Sequence, residues 1–332
     1  MTHDLNDEFI VNEVLVGERV DRTLSLVLDI TRNQASTLIS DGSVSIDGKI
    51  PKSNSIRLQI GQTVRVKGKI DSVDTRIEPH DGFIDVVYED NDIVVINKQI
   101  GLSVHPGNGR EEVTLANLLV CKYPKIVGVG EWFRPGIVHR LDKLTSGLLV
   151  IALNNESYHF LVSELKDRKV KREYATLVEG ILEEDEGTIE APLGRSVDDP
   201  TKMGIVESGK EAITDFRVIS RFVSKRSFTY LSVKLRTGRT HQIRAHFSAI
   251  KHPVAGDTYY GAKPFRTLNR PFLHSKSLGF VHPILKKSME FTSVLPSDLD
   301  SFLELLANDI ATNKLPTGDL SPNDEGLQTL EF

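Results

Sequence analysis

The sequence has little cysteine and no long apolar run. Its 332 residues include a single cysteine, Cys121, which permits no internal disulfide and no cysteine cluster for zinc. The longer apolar runs, such as GLLVIAL at 147–153, fall far short of the ~20 residues that a membrane helix requires. We therefore expect no membrane span.

Motifs for several common chemistries are also missing. The chain has no G-x-x-x-x-G-K-[ST] phosphate loop, no G-x-G-x-x-G, no H-E-x-x-H and no G-x-S-x-G. His241, His246 and His252 are spaced by five and six residues, which does not place ligands on one helical face. We expect no metal site. The acidic start MTHDLNDEFI lacks the features of a secretory signal, so we expect a cytoplasmic protein.

The charge is unevenly distributed along the chain. The formal net charge is −5, but residues 297–332 alone carry −7, which leaves the rest of the chain basic. Residues 225–276 hold eleven Lys or Arg against the single acid Asp257, and residues 48–70 hold six bases and no acid. Two separate basic stretches favour a polyanionic partner, although one such stretch alone is usually only a solvated surface.

The N-terminal part predicts two helices followed by a small sheet. Apolar residues recur at helical spacing over 20–28 and again over 35–39. Thr31 can cap the second helix and Gly42 can end it. The alternation SVSI leads into Asp-Gly at 47–48, a hairpin signal, and TVRVKG alternates again.

The rest of the chain predicts a larger α+β domain with a mixed, largely antiparallel sheet, because its strands follow one another in hairpin-like succession. IDVVYEDNDIVVINK at 84–98 reads as a hairpin. We predict domains at 15–70 and 83–310, a linker at 71–82 and a disordered acidic tail at 311–332. Further strands are predicted at 146–153, 172–179, 212–222 and 228–235, and helices near 114–122 and 155–168.

Asp142 is the strongest candidate for a chemical role. An Asp in a loop is usually a turn or cap residue. Here it lies in RPGIVHRLDKLTSG beside Arg140 and Lys143, and LRTGRTHQIRAH at 235–246 offers further cations from elsewhere in the chain. An arginine fork held against a buried carboxylate favours its ionised form. The pattern predicts an oriented, negatively charged nucleophile or base.

Four segments together resemble the RluA/RluD family of RNA pseudouridine synthases. They are GIVHRLDKLTSGLLV, REYATLVEG, LRTGRTHQIRAHFSAIKHPVAGDTYYG and GLSVHPGNG. The N-terminal pattern resembles the alpha-L RNA-binding module of a small-subunit ribosomal protein, so the fold expected is a small α/β RNA-binding domain plus the pseudouridine synthase fold. The likeness extends over roughly residues 15–290, and H-R-L-D-x-x-T-S-G is its most specific part.

The resemblance implies a role for individual residues. Asp142 would be the catalytic aspartate, Arg239 its ion-pair partner, and Tyr174 the ring that stacks on the flipped uracil. Arg140 would fill the place that the base leaves in the RNA. The remaining residues implied in RNA binding are His139, Arg32 and Lys49, together with His241, Gln242 and Arg244, which would shape and support the pocket or the RNA surface.

The resemblance also implies the reaction, isomerisation of uridine to pseudouridine without a cofactor. Large-subunit ribosomal RNA is the favoured substrate and a monomer is expected. Two alternatives stay open: a transfer RNA substrate, and a non-catalytic RNA-binding ribosome-assembly factor with the same fold. The uridines modified and the chemical route also stay open, because a carboxylate can attack the ribose or the ring, or remove a ribose proton.

Overall fold

The chain divides into two compact units, Met1–Arg76 and Ile77–Phe332. The boundary falls inside the predicted linker. The computed structural model describes residues 2–13, 15–28, 30, 32–71, 77–106, 113–131, 133–196, 199, 201–224 and 226–313.

The first unit packs two helices against a three-stranded antiparallel sheet. Its strand order is β1-β3-β2, and the apolar faces of both helices lie in one core with the inward residues of β2 and β3. Its elements are β1 (Thr2–Ile10), α1 (Val20–Val27), α2 (Arg32–Ser40), β2 (Val44–Ile46) and β3 (Thr63–Asp71).

Strand β1 precedes residue 15, where the sequence places the start of the domain. Its segment THDLNDEFI is mostly polar, so its strand character comes from pairing: Thr2 to Ile10 run antiparallel to Asp71 to Thr63 along the edge of β3. The Asp47-Gly48 turn forms as predicted, with both residues at positive φ. It closes only a bridge between Ile46 and Lys49, and β2 takes β3 as its main partner.

The second unit is built on a nine-stranded mixed sheet. The strand order is β4-β5-β6-β13-β7-β12-β11-β8, with β14 paired to β13. Only the pairing of β6 with β13 is parallel among the described strands of this sheet. The elements of the second unit are β4 (Val86–Glu89), β5 (Ile93–Lys98), α3 (Leu115–Lys122), β6 (Ser146–Ala152), α4 (Asn155–Lys166), β7 (Lys171–Glu179), β8 (Glu186–Glu190), β9 (Leu193–Arg195), β10 (Met203–Ile205), β11 (Ile213–Phe222), β12 (Phe228–Leu235), α5 (Gln242–Ala249), β13 (Leu273–Val281), β14 (Ser288–Thr292) and α6 (Ser297–Asn313).

This architecture confirms the predicted fold class, α+β with a mixed, largely antiparallel sheet. The predicted hairpin is β4 and β5, which pair antiparallel. Strand β13 was not predicted from the sequence, although it lies at the centre of the sheet between β6 and β7. In its segment LHSKSLGFV, buried polar residues such as His274 and Ser275 interrupt the apolar ones. The segment therefore shows neither the alternation of a half-buried strand nor the continuous apolar run of a fully buried strand.

Strand β6 fixes the rigid centre of the unit. All seven residues of SGLLVIA are buried, which is the pattern of a strand covered on both faces. Gly147 has φ +113, and a Cβ there would lie 2.3 Å from the Ser275 carbonyl oxygen of β13, so only glycine allows the two backbones to approach. The loop that carries Asp142 leads directly into this strand.

The end of α6 corrects one predicted boundary. The tail was predicted to be disordered from residue 311, but the helix continues to Asn313, because apolar residues such as Leu299, Phe302 and Leu306 bury one face of it. The rest of that tail lies outside the described residues, as do residues 107–109 at the end of GLSVHPGNG. Over the described parts of the chain, no helix has the length and apolarity needed to span a bilayer.

Candidate active site

Two groups, the Thr145 N–H and the Lys98 ammonium group, hold the Asp142 loop in place. The Thr145 N–H donates to the Asp142 carbonyl oxygen at 3.0 Å, which closes a turn. Lys98, at the end of β5, is only 2% exposed, and its Nζ donates to the carbonyl oxygens of Gln99, Leu102 and Lys143. Burial lowers the pKa of Lys98 to about 7, while Asp142 opposes that change. The backbone around Asp142 is therefore anchored to the central sheet.

Arg244 holds the Asp142 carboxylate. Its Nη1 donates to Asp142 Oδ2 at 3.0 Å, while its Nε and Nη2 donate to the two oxygens of Asp257 at 2.6 and 3.0 Å. The guanidinium also stacks on Tyr260, 4.8 Å from the ring centroid. Burial alone would lower the pKa of Arg244, but Asp257 and Asp142 raise it above its usual range. A planar fork bound at both edges fixes the direction of the carboxylate that it contacts.

The prediction that Arg239 is the ion-pair partner of Asp142 is wrong. Arg239 directs its Nε to the Glu211 carbonyl oxygen at 2.9 Å. It lies in the turn before α5, whereas Arg244 lies inside the helix on the face toward Asp257. One helical turn and more separates the two side chains, so only Arg244 meets the carboxylate. The sequence implied that Arg244 binds RNA or supports the pocket or RNA surface, and the structure buries it against Asp142 and Asp257.

His139 and Gln242, both implied in RNA binding by the resemblance, line the cleft as buried residues. His139 is buried, its Nε2 accepts the Val150 N–H of β6, and burial lowers its pKa to about 3, so it stays neutral. Gln242 is 2% exposed, and both ends of its side-chain amide are hydrogen bonded. Its Oε1 accepts from the Thr237 hydroxyl and the Arg239 N–H, and its Nε2 donates to the Ile213 carbonyl oxygen. Both are buried polar groups with satisfied hydrogen bonds that shape the loops around the site.

His241 stands beside the carboxylate at the start of α5. Its Nε2 lies 3.8 Å from Asp142 Oδ1, and its Nδ1 is hydrogen bonded to the Tyr260 hydroxyl at 3.0 Å. Its backbone has φ +54, a conformation uncommon outside glycine. Burial lowers the pKa of His241 while Asp142 opposes that change. The His241 imidazole ring therefore covers one side of the Asp142 carboxylate.

Tyr174 of β7 lies in the same cleft as Asp142. It is 5% exposed, and burial raises the pKa of its hydroxyl above the usual value, so the ring is neutral. Strand β7 sits between β12 and β13 in the sheet interior, which fixes where the ring points. A rigid aromatic face beside a fixed carboxylate suits a planar ligand such as a nucleobase.

The cleft is strongly basic. It has a volume of about 390 Å³, within the usual range of ligand sites. Arg140 at its edge is exposed. Arg32 and Lys49 are exposed as well, but belong to the first unit. The charged side chains that line the cleft are Asp142 and the cations Arg134, Arg140, Lys166, Arg172, Arg239 and Arg244.

Sequence reasoning gave no role to two residues of the site, Asp257 and Arg172. Asp257 is the single acid in the basic stretch 225–276, and such an isolated acid signals a buried charge pair. Arg172 lies two residues before Tyr174, hence on the same face of β7. The isolation of Asp257 among bases and the spacing of Arg172 from Tyr174 are both visible in the sequence. The residues that contact Asp257 and Arg172 in the fold are not.

The described residues place a metal-capable cluster away from this cleft. Asp90, Asp92 and His282 bring one ligand atom each to within 4.8 Å of one another. Hydrogen bonds already engage this group: His282 Nε2 donates to Asp90 Oδ2 at 2.8 Å, and the Tyr88 hydroxyl donates to the same oxygen. The arrangement reads as a structural link between the β4–β5 turn and the end of β13.

The comparisons with known proteins agree with this geometry. The family model described as RNA pseudouridylate synthase matches residues 92–249, and the S4 domain model matches residues 18–64. An uncharacterized RNA pseudouridine synthase, YlyB of Bacillus subtilis, is 40% identical over 292 residues, which cover 87% of this chain and 94% of that protein. The chain belongs to the RNA pseudouridine synthase family. It also carries the S4 domain, which confirms both resemblances found in the sequence.

Other members of the family are similar over nearly their whole length. Ribosomal large subunit pseudouridine synthase D of Escherichia coli K12 is 36% identical over 318 residues, covering 92% of this chain and 95% of that protein. Among solved structures, human RNA pseudouridylate synthase domain containing 1 superposes with a TM-score of 0.52 at 28% identity, covering 69% of this chain and 97% of that one. The family likeness therefore includes both units of the chain and the cleft around Asp142.

Proposed function

We propose that this protein isomerises specific uridines of large-subunit ribosomal RNA to pseudouridine, with Asp142 as the catalytic carboxylate. The observation that carries the proposal is the pairing of Asp142 with Arg244 at the floor of a basic cleft beside the buried ring of Tyr174. The relatives named ribosomal large subunit pseudouridine synthase D support the choice of RNA.

The reaction needs a carboxylate that stays charged and keeps its direction. The glycosidic bond between ribose and the ring nitrogen breaks, the uracil turns, and a ring carbon bonds to the ribose. No atom is gained or lost. Asp142 can act as a nucleophile on the ribose or the ring, or as a base on the ribose. In each route Arg244 is a positioning residue, because it contacts the carboxylate and is itself held by Asp257.

The target base must leave its stack before Asp142 can reach it. Tyr174 offers a fixed face for the flipped uracil, and stacking of an aromatic side chain on a base contributes roughly 1–3 kcal/mol. That contribution offsets much of an unstacking cost of a few kcal/mol. Arg140, exposed at the edge of the cleft, would occupy the place of the displaced base in the RNA.

The first unit would bind RNA through its own basic side chains. Its match to the S4 domain and its run of bases at 48–70, exposed Lys49 among them, support a contact with phosphates. Arg32, exposed at the start of α2, belongs to the same proposed surface. We expect a monomer that acts in the cytoplasm on ribosomal RNA or its precursor particle.

Mapping pseudouridine tests the proposal. The protein is incubated with unmodified large-subunit ribosomal RNA and, in parallel, with transfer RNA transcripts, and pseudouridines are located by chemical labelling and primer extension. New pseudouridine in the ribosomal RNA, absent with Asp142→Asn, supports the proposal. Product only in transfer RNA overturns the substrate, and RNA binding without product in either RNA indicates a non-catalytic binder.

A further inference from the structure

A buried cation of the cleft is left without an opposite charge. Arg172 is 7% exposed, lines the cleft, and its Nε has no hydrogen-bond partner. Among the described residues no carboxylate lies within 4.0 Å of its guanidinium, and the Asp142 carboxylate in the same cleft is paired with Arg244. Each ionised group removed from water without a partner costs several kcal/mol. Such a group points to a ligand that supplies the missing charge.

The groups around Arg172 make its buried positive charge still less favourable. Burial lowers the pKa of Arg172 and the charge of Arg239 lowers it further, while Tyr174 has the opposite effect. His139, also close to Arg172, is buried and neutral. Both guanidinium groups line the cleft, and the positive charge of Arg239 acts on Arg172. An anion placed there would relieve both the burial cost and the repulsion.

Gly238 leaves room for this arrangement. A Cβ at residue 238 would lie 2.5 Å from Arg172 Nη1, so the guanidinium rests against the bare backbone of the turn that carries Arg239. The turn is itself fixed by Gln242, which accepts the Arg239 N–H at 3.0 Å. The position of the Arg172 guanidinium is thus preorganised by backbone.

On the proposed function, we infer that Arg172, together with Arg239, binds a backbone phosphate of the flipped nucleotide. A phosphate carries the negative charge that a uracil carbonyl lacks, and its oxygens match a guanidinium fork. Arg172 and Tyr174 share one face of β7, two residues apart. One strand would then bind two parts of one nucleotide, the base on the ring and the phosphate on the guanidinium.

Replacing Arg172 by a neutral side chain should not destabilise the RNA-free protein. Arg172→Met removes the buried charge and keeps most of the side-chain volume. If the charge serves a ligand, the RNA-free variant should unfold at the same urea concentration as the wild type or at a higher one, because no partner is lost. A merely structural arginine would instead give a lower midpoint. Lys171→Gln, an exposed neighbour outside the cleft, is the matched control.

The deciding experiment removes one phosphate charge at a time. A short RNA containing the mapped uridine is made with a neutral methylphosphonate at the phosphate 5′ or 3′ of that uridine, and affinity is measured at fixed salt. For the wild type and Lys171→Gln, one of the two replacements should weaken binding roughly 10- to 100-fold, as for the loss of a charged hydrogen bond. For Arg172→Met, natural RNA should bind correspondingly more weakly and the replacement should add little.

Gly238→Ala supplies a second variant that keeps the arginine. Displacing the guanidinium should reduce the methylphosphonate effect as Arg172→Met does. The inference is overturned if the wild type is indifferent to both replacements, or if both variants show the full wild-type penalty. The two proposals fail separately: absence of pseudouridine in any RNA removes the function and this inference with it, whereas product formation with an unchanged phosphate penalty removes this inference alone.

Discussion

Asp142 and Arg244 lie 102 residues apart in the chain, yet the Arg244 Nη1 donates to Asp142 Oδ2 at 3.0 Å. The loop before β6 brings one residue and the first turn of α5 brings the other. Arg244 is shared with Asp257, a carboxylate that is 1% exposed. The direction of the Asp142 carboxylate therefore depends on a network of three residues, Asp142, Arg244 and Asp257.

Asp142→Asn should abolish turnover and leave RNA binding nearly unchanged. The amide has the same shape but no charge, so it can serve neither as nucleophile nor as base, and we expect a loss of at least about a thousandfold. Pseudouridine formation and RNA affinity are measured side by side. Asp185→Asn, at a carboxylate whose side chain is 86% exposed, serves as the control. Appreciable activity in the Asp142 variant would contradict the assigned role.

Replacing Arg244 and Arg239 in turn should separate their roles. Arg244→Met leaves Asp257 as an uncompensated buried charge, so the free energy of unfolding should fall by about 3–5 kcal/mol. Arg239→Met loses one partly exposed hydrogen bond to a backbone carbonyl, and should cost about 1 kcal/mol or less while weakening RNA binding. Urea unfolding of both variants provides the measurement. Equal destabilisation would argue against the network described around Arg244.

Tyr174→Phe should keep RNA affinity within about twofold, because the stacking face remains. Tyr174→Ala should weaken binding by roughly 1–3 kcal/mol, the contribution of an aromatic ring stacked on a base. Affinity is measured by titration with RNA containing the mapped uridine. If the Phe variant binds as poorly as the Ala variant, the hydroxyl rather than the ring face makes the contact. A loss of turnover in the Phe variant alone would assign the hydroxyl to proton transfer.

Acid should destabilise the protein through His139. Its pKa is about 3 when folded against 6.5 in the unfolded chain, so the unfolded state binds the additional proton. The resulting stability is fully present above pH 6.5 and is lost as the pH falls toward 3. His139→Gln can still accept the Val150 N–H but cannot titrate, so its loss of stability between pH 7 and pH 5 should be smaller by about 2 kcal/mol. His159→Gln, at an exposed histidine, should follow the wild type.

RNA affinity should fall steeply with salt, because phosphate contacts release counterions. Arg32→Gln and Lys49→Gln should each reduce the slope of log K against log salt by about one. Lys125→Gln, at a residue that donates to the Asn91 carbonyl oxygen beside the β4–β5 turn, should leave the slope unchanged. A salt response that is flat in the wild type would contradict the proposed RNA surface in the first unit.

The residues of Asp142's own neighbourhood were identified from sequence because they are local. H-R-L-D-x-x-T-S-G is one continuous string, and Asp142 stands between two apolar runs that become a loop and the buried strand β6. The hairpin of β4 and β5 was predicted for the same reason, since alternation and turn residues act over a few positions. The family, too, could be recognised from short continuous segments.

Tertiary structure alone decided which arginine holds Asp142. Arg239 and Arg244 stand five residues apart in one basic segment, and nothing in the local pattern distinguishes a turn arginine bound to a backbone carbonyl from a helix arginine shared by two carboxylates. The same holds for His139, whose burial depends on β6, and for β13, whose strand character depends on its neighbours. Local composition determines loops, turns and motifs, but packing determines which distant segments pair. Packing therefore decides whether an arginine remains a surface cation or becomes the buried partner of a carboxylate.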